Sequence, residues 1–156
     1  MYNESDNVGV FYQRTSAVLE ALGLTWEIVC VDDGSRDDTL DQLIALHRRD
    51  GRVKVVELAR NFGKEIALTA GLDAAAGRAV VPIDADLQDP PELIPAMVER
   101  WRQGYDVVFA TRTERRTLTG AANQGSSQLR SMRSRQRASL KPGPLVSRTL
   151  TVRSWG

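Results

Sequence analysis

The chain has one cysteine, Cys30, and one histidine, His47, among its 156 residues. A single thiol excludes an internal disulfide. Cys30 lies in an apolar run, where a thiol serves as a small buried hydrophobe. His47 falls on a predicted helix beside Arg48 and Arg49 and reads as a solvated surface residue. No apolar run approaches the ~20 residues that span a bilayer. The Gly-x-Gly-x-x-Gly fingerprint of dinucleotide-binding folds is absent, and so is a P-loop. Acids are missing from residues 118–156, which carry six Arg, Lys141 and seven Ser. The other 117 residues hold 14 basic and 20 acidic side chains, so the net charge of +1 conceals an acidic body and a basic tail. Trp155 is the only aromatic in that tail.

What is present alternates between two periods. Val10, Phe11, Val18, Leu19 and Leu22 recur at helical spacing before Gly23. Trp26–Val31, Val53–Leu58, Val80–Ile83 and Asp106–Thr111 read as strands. Between them, Leu40, Leu43, Ile44 and His47 mark one helix ending at Gly51. Ile66, Leu68, Ala70, Leu72 and Ala75 mark a second. Leu93, Ile94, Met97, Val98 and Trp101 mark a third, ending at Gly104. Ser35 and Asp38 have capping-box spacing for the first of these helices. Strands alternating with helices predict an α/β fold, with a mostly parallel sheet, helices on both faces and right-handed crossovers. The length suits one domain with a real core.

The chemistry is expected where strands end, since open α/β sheets bind ligands at the carboxyl ends of their strands. The fourth strand-like stretch runs into Asp84-Ala85-Asp86-Leu87-Gln88-Asp89-Pro90-Pro91. Asp84, Asp86 and the amide oxygen of Gln88 are hard donors suited to Mg²⁺ or Mn²⁺ held partly by substrate phosphates. The plain alternative is a solvated acidic loop or a helix cap. Asp32-Asp33-Gly34-Ser35 ends an earlier strand. Its carboxylates suit either turn chemistry or a hydrogen bond to a base or ribose. Arg60 and Lys64 flank Gly63 where a strand gives way to a helix. They suit either an anion or plain solvent.

Asp84–Leu93 resembles the metal loop of family 2 glycosyltransferases of GT-A (Rossmann-like) fold. The similarity is to the branch that includes dolichyl-phosphate mannosyltransferase and the bacterial polyprenyl-phosphate glycosyltransferases. Tyr2-Asn3-Glu4 resembles the turn after the first strand of those enzymes. Asp32-Asp33-Gly34-Ser35-x-Asp37-x-Thr39 resembles their nucleotide-contacting turn, and Arg60-Asn61-Phe62-Gly63-Lys64-Glu65 a further segment of the branch. The resemblance implies sugar transfer from a UDP- or GDP-linked donor to a polyprenyl or dolichyl phosphate. The setting would be the cytoplasm or the cytoplasmic face of a membrane. It implies that Asp86 and Gln88 hold Mg²⁺ or Mn²⁺, with Asp86 as the catalytic carboxylate, and that Asp84 adds a metal or ribose contact. It further implies nucleotide contacts from Tyr2, Asn3, Glu4, Asp32 and Asp33, and phosphate contacts from Arg60, Lys64 and Arg112.

The resemblance covers roughly residues 2–116 and implies a partial GT-A domain over residues 1–116. Its first strand, a central one, is expected to be missing. Either the sheet then holds an unfilled slot or the true start codon lies further upstream; an unfilled slot should make the protein poorly soluble, because unpaired strand edges associate. Residues 117–156 are expected to form a Ser/Arg-rich disordered tail. The sudden loss of acids and of apolar pattern there suggests a shifted reading frame or a misjoined end. Two other readings stay open: a nucleotide- or metal-binding remnant without turnover, and a basic tail that binds nucleic acid by charge. The near absence of aromatics from the tail weighs against the last.

Overall fold

A computed structural model of the chain describes residues 1–113, 126–132 and 149–155. The chain forms two compact units, Met1–Glu92 with Pro144–Gly156, and Leu93–Gly143. The first unit contains α1 (Ser5–Ala21), β1 (Thr25–Asp32), α2 (Thr39–Arg49), β2 (Val53–Glu57), α3 (Lys64–Ala74) and β3 (Ala79–Asp84). The second contains α4 (Ile94–Arg102) and an antiparallel pair, β4 (Val107–Thr113) and β5 (Ser126–Met132). A last strand, β6 (Thr149–Trp155), belongs to the first unit.

β1 is the spine of the core. Every residue from Trp26 to Asp32 is buried. Successive strand side chains point to opposite faces, so β1 is covered on both. Helix α1 buries Val8, Phe11, Thr15 and Leu19, a line spaced at helical intervals. Val10, assigned to that stripe from the sequence, is 47% exposed. Helix α2 buries Thr39, Leu43 and Leu46. Helix α3 packs on β1 through Ala67 and Gly71, small residues that admit a close approach, and leaves Ile66 and Leu72 exposed. Cys30 is buried as expected, and burial pushes its thiol up to about 12.

The sheet of the first unit is parallel throughout, in the order β2-β1-β6-β3. The slot expected to stand open between β1 and β3 is therefore filled. β6 pairs with β1 from Thr25 opposite Thr149 to Cys30 opposite Ser154, and with β3 from Ala79 opposite Leu150 to Asp84 opposite Trp155. Beyond β6, Met1 continues the same line. Its amino group donates to the carbonyl of Val31, and its carbonyl accepts the Asp33 amide at 2.7 Å. On the β2 side, the Ile28 amide donates to the Arg52 carbonyl at 3.0 Å and the Asp32 carbonyl accepts the Leu58 amide at 2.9 Å. The odd-numbered groups used by Met1 therefore face the edge of β1 that β6 occupies. Two segments of the basic tail, 126–132 and 149–155, are strands rather than disordered chain.

β3 departs from expectation in another way. Val80 and Val81 are half-buried and Pro82 is exposed, so this strand is not covered on both faces. Among the described residues it lies at the sheet edge, where strands tolerate proline. In the second unit α4 packs against β4 and β5, Ile94 and Val98 are buried, and Gly104 follows the helix with φ +88°. Among the described residues, no helix is long and apolar enough to cross a membrane.

A central strand cannot tolerate proline, which removes a ladder bond. Val152→Pro should therefore destabilise the protein by about 3 kcal/mol or more, read as loss of the cooperative thermal transition. A melt unchanged from that of the parent chain would remove β6 from the sheet.

Candidate functional site

The carboxyl ends of β1 and β3 carry the acids singled out in the sequence. Asp32 and Asp33 are only 1% and 2% exposed. The Asp32 carboxylate accepts the Ser35 amide at 3.1 Å and the Ser35 hydroxyl. Asp33 reaches across to the loop after β2, where its two oxygens accept the amides of Phe62 at 2.8 Å and Gly63 at 2.9 Å. Gly34 lets the two loops touch. Its φ is +69°, and a Cβ there would lie 2.5 Å from the Arg60 carbonyl carbon. The Asp33 carboxylate thus fixes the backbone from which Arg60 and Lys64 project. Arg60 is exposed and lies over the Phe62 ring at 4.8 Å.

The opening residues are tied to the turn after β1. Asn3 has the left-handed φ of +54°, which asparagine tolerates better than most residues. Its amide donates to the Ser35 hydroxyl at 3.0 Å, and its side-chain oxygen accepts the Arg36 amide at 2.9 Å. The Glu4 amide donates to the Thr39 hydroxyl at 2.8 Å, and the Ser5 amide to Asp37 at 3.3 Å. The Glu4 carboxylate accepts from the Asn7 side chain, and Tyr2 is half-buried. The expected capping box does not form, because the Ser35 hydroxyl serves Asp32 and Asp38 makes no side-chain cap bond. Asp37 takes the role instead, accepting the amide and hydroxyl of Thr39. Those bonds hold its carboxyl down to about 2.

At the end of β3, Asp84 Oδ2 pairs with Lys64 Nζ at 2.8 Å. Its other oxygen, Oδ1, is buried without a hydrogen-bond partner. Two residues on, Asp86 is exposed and its Oδ1 accepts the Gln88 amide at 2.9 Å. Leu87 between them has φ +59°, a conformation costly for a branched residue, so the turn is held against strain. Gln88 is exposed. Arg14 of α1 anchors the far end of this loop with a two-pronged grip on Glu92, Nη2 donating to Oε2 at 2.8 Å and Nε to Oε1 at 3.2 Å. The sequence pattern concealed that contact, because it joins residues far apart in the chain. Among the described residues, no three His, Cys, Asp or Glu side chains gather to hold a metal by themselves. Arg112 lies on β4 in the second unit, and its side chain falls outside the described residues.

The glycosyl transferase family 2 profile matches residues 1–152, and the chain belongs to that family. It is 58% identical to an uncharacterised glycosyltransferase of Synechocystis sp., over 76% of this chain and 37% of that protein. It is 46% identical to the bactoprenol glucosyl transferase of Shigella phage SfV, over 75% of this chain and 38% of that one. It is 48% identical to an undecaprenyl-phosphate 4-deoxy-4-formamido-L-arabinose transferase of Pseudomonas paraeruginosa, over 74% and 34% respectively. The chain thus spans little more than a third of the length of these curated relatives.

Removing the Asp33 carboxylate strips two amides of their acceptor. Asp33→Ala should cost about 1–3 kcal/mol in denaturant unfolding and accelerate hydrogen exchange at Phe62 and Gly63 first. The Asp37 bonds carry a pH signature. A carboxyl held below its ordinary 3.8 contributes fully above about pH 4 and loses that contribution as the pH falls toward 2. Protection of the Thr39 amide should fade across that window, and Asp37→Asn should flatten the dependence.

Proposed function

We propose that this chain forms the nucleotide-sugar site of a glycosyltransferase that transfers a sugar to a polyprenyl phosphate with a divalent cation, Mg²⁺ or Mn²⁺. The observation that carries the reading is Asp84 Oδ1, a buried oxygen donor without a partner two residues before the exposed carboxylate of Asp86. A buried polar atom left unsatisfied is costly and uncommon, and at a strand end it points to a ligand. Two carboxylates with Gln88 are oxygen donors of the kind Mg²⁺ and Mn²⁺ prefer. The donor set is incomplete without the substrate's phosphates, as is usual for Mg²⁺ sites. When bound, the ion would offset charge building on the departing nucleoside diphosphate.

The rest of the chemistry falls to the protein. Asp32 and Asp33 are already engaged by Ser35, Phe62 and Gly63, so their first task is to hold the turn and loop that border the nucleotide. Each Asp33 oxygen retains a lone pair for a base or ribose. Asn3 and Glu4 lock the opening segment onto that turn. Arg60 and Lys64 would meet phosphate. An oxygen of the acceptor phosphate attacks the anomeric carbon, and the bond from that carbon to the nucleoside diphosphate breaks. The attacking oxygen is already anionic, so no proton need be removed and no separate base is required. The Shigella phage and Pseudomonas relatives, named as a bactoprenol and an undecaprenyl-phosphate transferase, support a polyprenyl over a dolichyl phosphate acceptor. A lipid-linked acceptor would bring the reaction to the cytoplasmic face of a membrane. One of the two grounds for the remnant reading was a missing first strand, and β6 and Met1 occupy that place in the sheet.

Calorimetric titration with UDP and with GDP, with and without Mn²⁺, tests the site. One of the two should bind in a metal-dependent manner, and Asp86→Ala should weaken that binding at least about tenfold, as loss of a metal-site residue typically does. Folded protein that binds neither nucleotide would refute the assignment.

A further inference from the structure

Lys64 and Asp84 present a conflict that the proposed site has to resolve. The carboxylate suited to a divalent cation already holds a cation, the Lys64 ammonium, at 2.8 Å. The two groups are unlike in their freedom. Lys64 opens α3, and the amide of the preceding Gly63 is held by Asp33, so its backbone is fixed. Its side chain is 57% exposed, against 25% for Asp84. A four-carbon stem on a fixed root can swing while Asp84 stays put. The pairing also leaves Asp84 half served, because Oδ2 has the ammonium while Oδ1 is buried with nothing.

From these observations we infer that Lys64 is a placeholder that occupies Asp84 until a divalent cation arrives, and then turns to the diphosphate that accompanies it. The inference rests on the metal and diphosphate reading above. A partly exposed ion pair is weak and cheaply broken. A divalent ion offers Asp84 a stronger partner and repels the ammonium. Lys64 displaced into solvent gains little, whereas Lys64 displaced onto a phosphate regains a charge-assisted hydrogen bond. Metal alone must therefore displace Lys64 without compensation, and metal with nucleoside diphosphate need not. The two ligands should bind cooperatively, and by linkage each should raise the affinity of the other by the same factor. Lys64 is then a positioning residue that couples them. It also keeps the Asp84 carboxylate neutralised while no donor is present.

The test compares the full chain with Lys64→Gln and Lys64→Arg. Mn²⁺ binding is followed by the paramagnetic signal of the free ion, alone and with saturating UDP or GDP. Lys64→Gln should bind Mn²⁺ alone about two- to fivefold more tightly, the scale of an exposed ion pair. It should bind the nucleotide with Mn²⁺ about tenfold more weakly, the scale of one charge-assisted bond. The coupling factor should thus fall, leaving the part that comes from the phosphates ligating the metal directly. Lys64→Arg keeps a cation and should keep the coupling. Mn²⁺ affinity unchanged or weakened in Lys64→Gln, or coupling equal to that of the parent chain, would overturn the placeholder role while leaving the site assignment intact. A parent chain that binds neither Mn²⁺ nor nucleotide would instead remove the assignment itself.

Discussion

The pairing of β6 between β1 and β3 is the constraint on which the site depends. Among the described residues, β3 has no other strand neighbour. The height of Asp84 relative to Asp32 is therefore set through β6, which reads one register on each of its edges. Ser154 lies opposite both Cys30 and Ile83, so Asp84 is level with Val31, one residue behind Asp32. Two strand spacings separate those positions, about 10 Å in the plane of the sheet. That span is wide enough for the nucleotide proposed above to lie across the strand ends. A slip of β6 by two residues would preserve every side-chain alternation and still shift Asp84 by about 7 Å along the strand direction.

The two ends of the sheet spend their polar groups differently. At the amino ends, Tyr12, Asp50, Arg52, Glu20 and Trp26 form a closed network. Arg52 pairs with both acids and lies over the Trp26 ring at 3.8 Å, while Tyr12 donates to Asp50. Hydrogen bonds from Arg52 hold the Asp50 carboxyl far below the carboxylate range. Each group there has a partner in the protein, which is the pattern of a structural cluster. At the carboxyl ends the buried acids serve backbone amides of neighbouring loops, two non-glycine residues take left-handed conformations, and one carboxylate oxygen has no partner. Strain and unmet polarity are located where a ligand would relieve them.

The parts of the fold governed by short-range pattern were legible in the chain. β1, α2, β2, β3 and β4 fall within a residue or two of where periodicity put them, and the acids at the strand ends follow. The errors arise where a residue answers to something distant in sequence. Val10, Ile66 and Leu72 have the spacing of buried residues and are exposed, because which side of a helix is covered depends on what packs against it. Ser35 has the spacing of a helix cap, yet Asp32 competes for its hydroxyl and wins, leaving Asp37 to serve Thr39. The Arg14–Glu92 grip joins segments that no local pattern relates.

The tail shows most clearly why composition misleads. Averaged over residues 118–156, the chain is basic, rich in serine and free of acids, and that average points to disorder. The last stretch, Thr149-Leu150-Thr151-Val152-Arg153-Ser154-Trp155, is nonetheless rich in β-branched and aromatic residues and lacks glycine and proline. That is weak evidence for a strand on its own, since isolated strands are not stable. What turns it into structure is a slot with two unpaired edges, β1 on one side and β3 on the other, each offering a ladder of backbone groups that must be satisfied. An edge strand gains one ladder, whereas a strand entering this slot gains two and relieves both neighbours of an exposed edge. A vacancy at the centre of a parallel sheet thus selects for any segment of the chain able to pair on both sides.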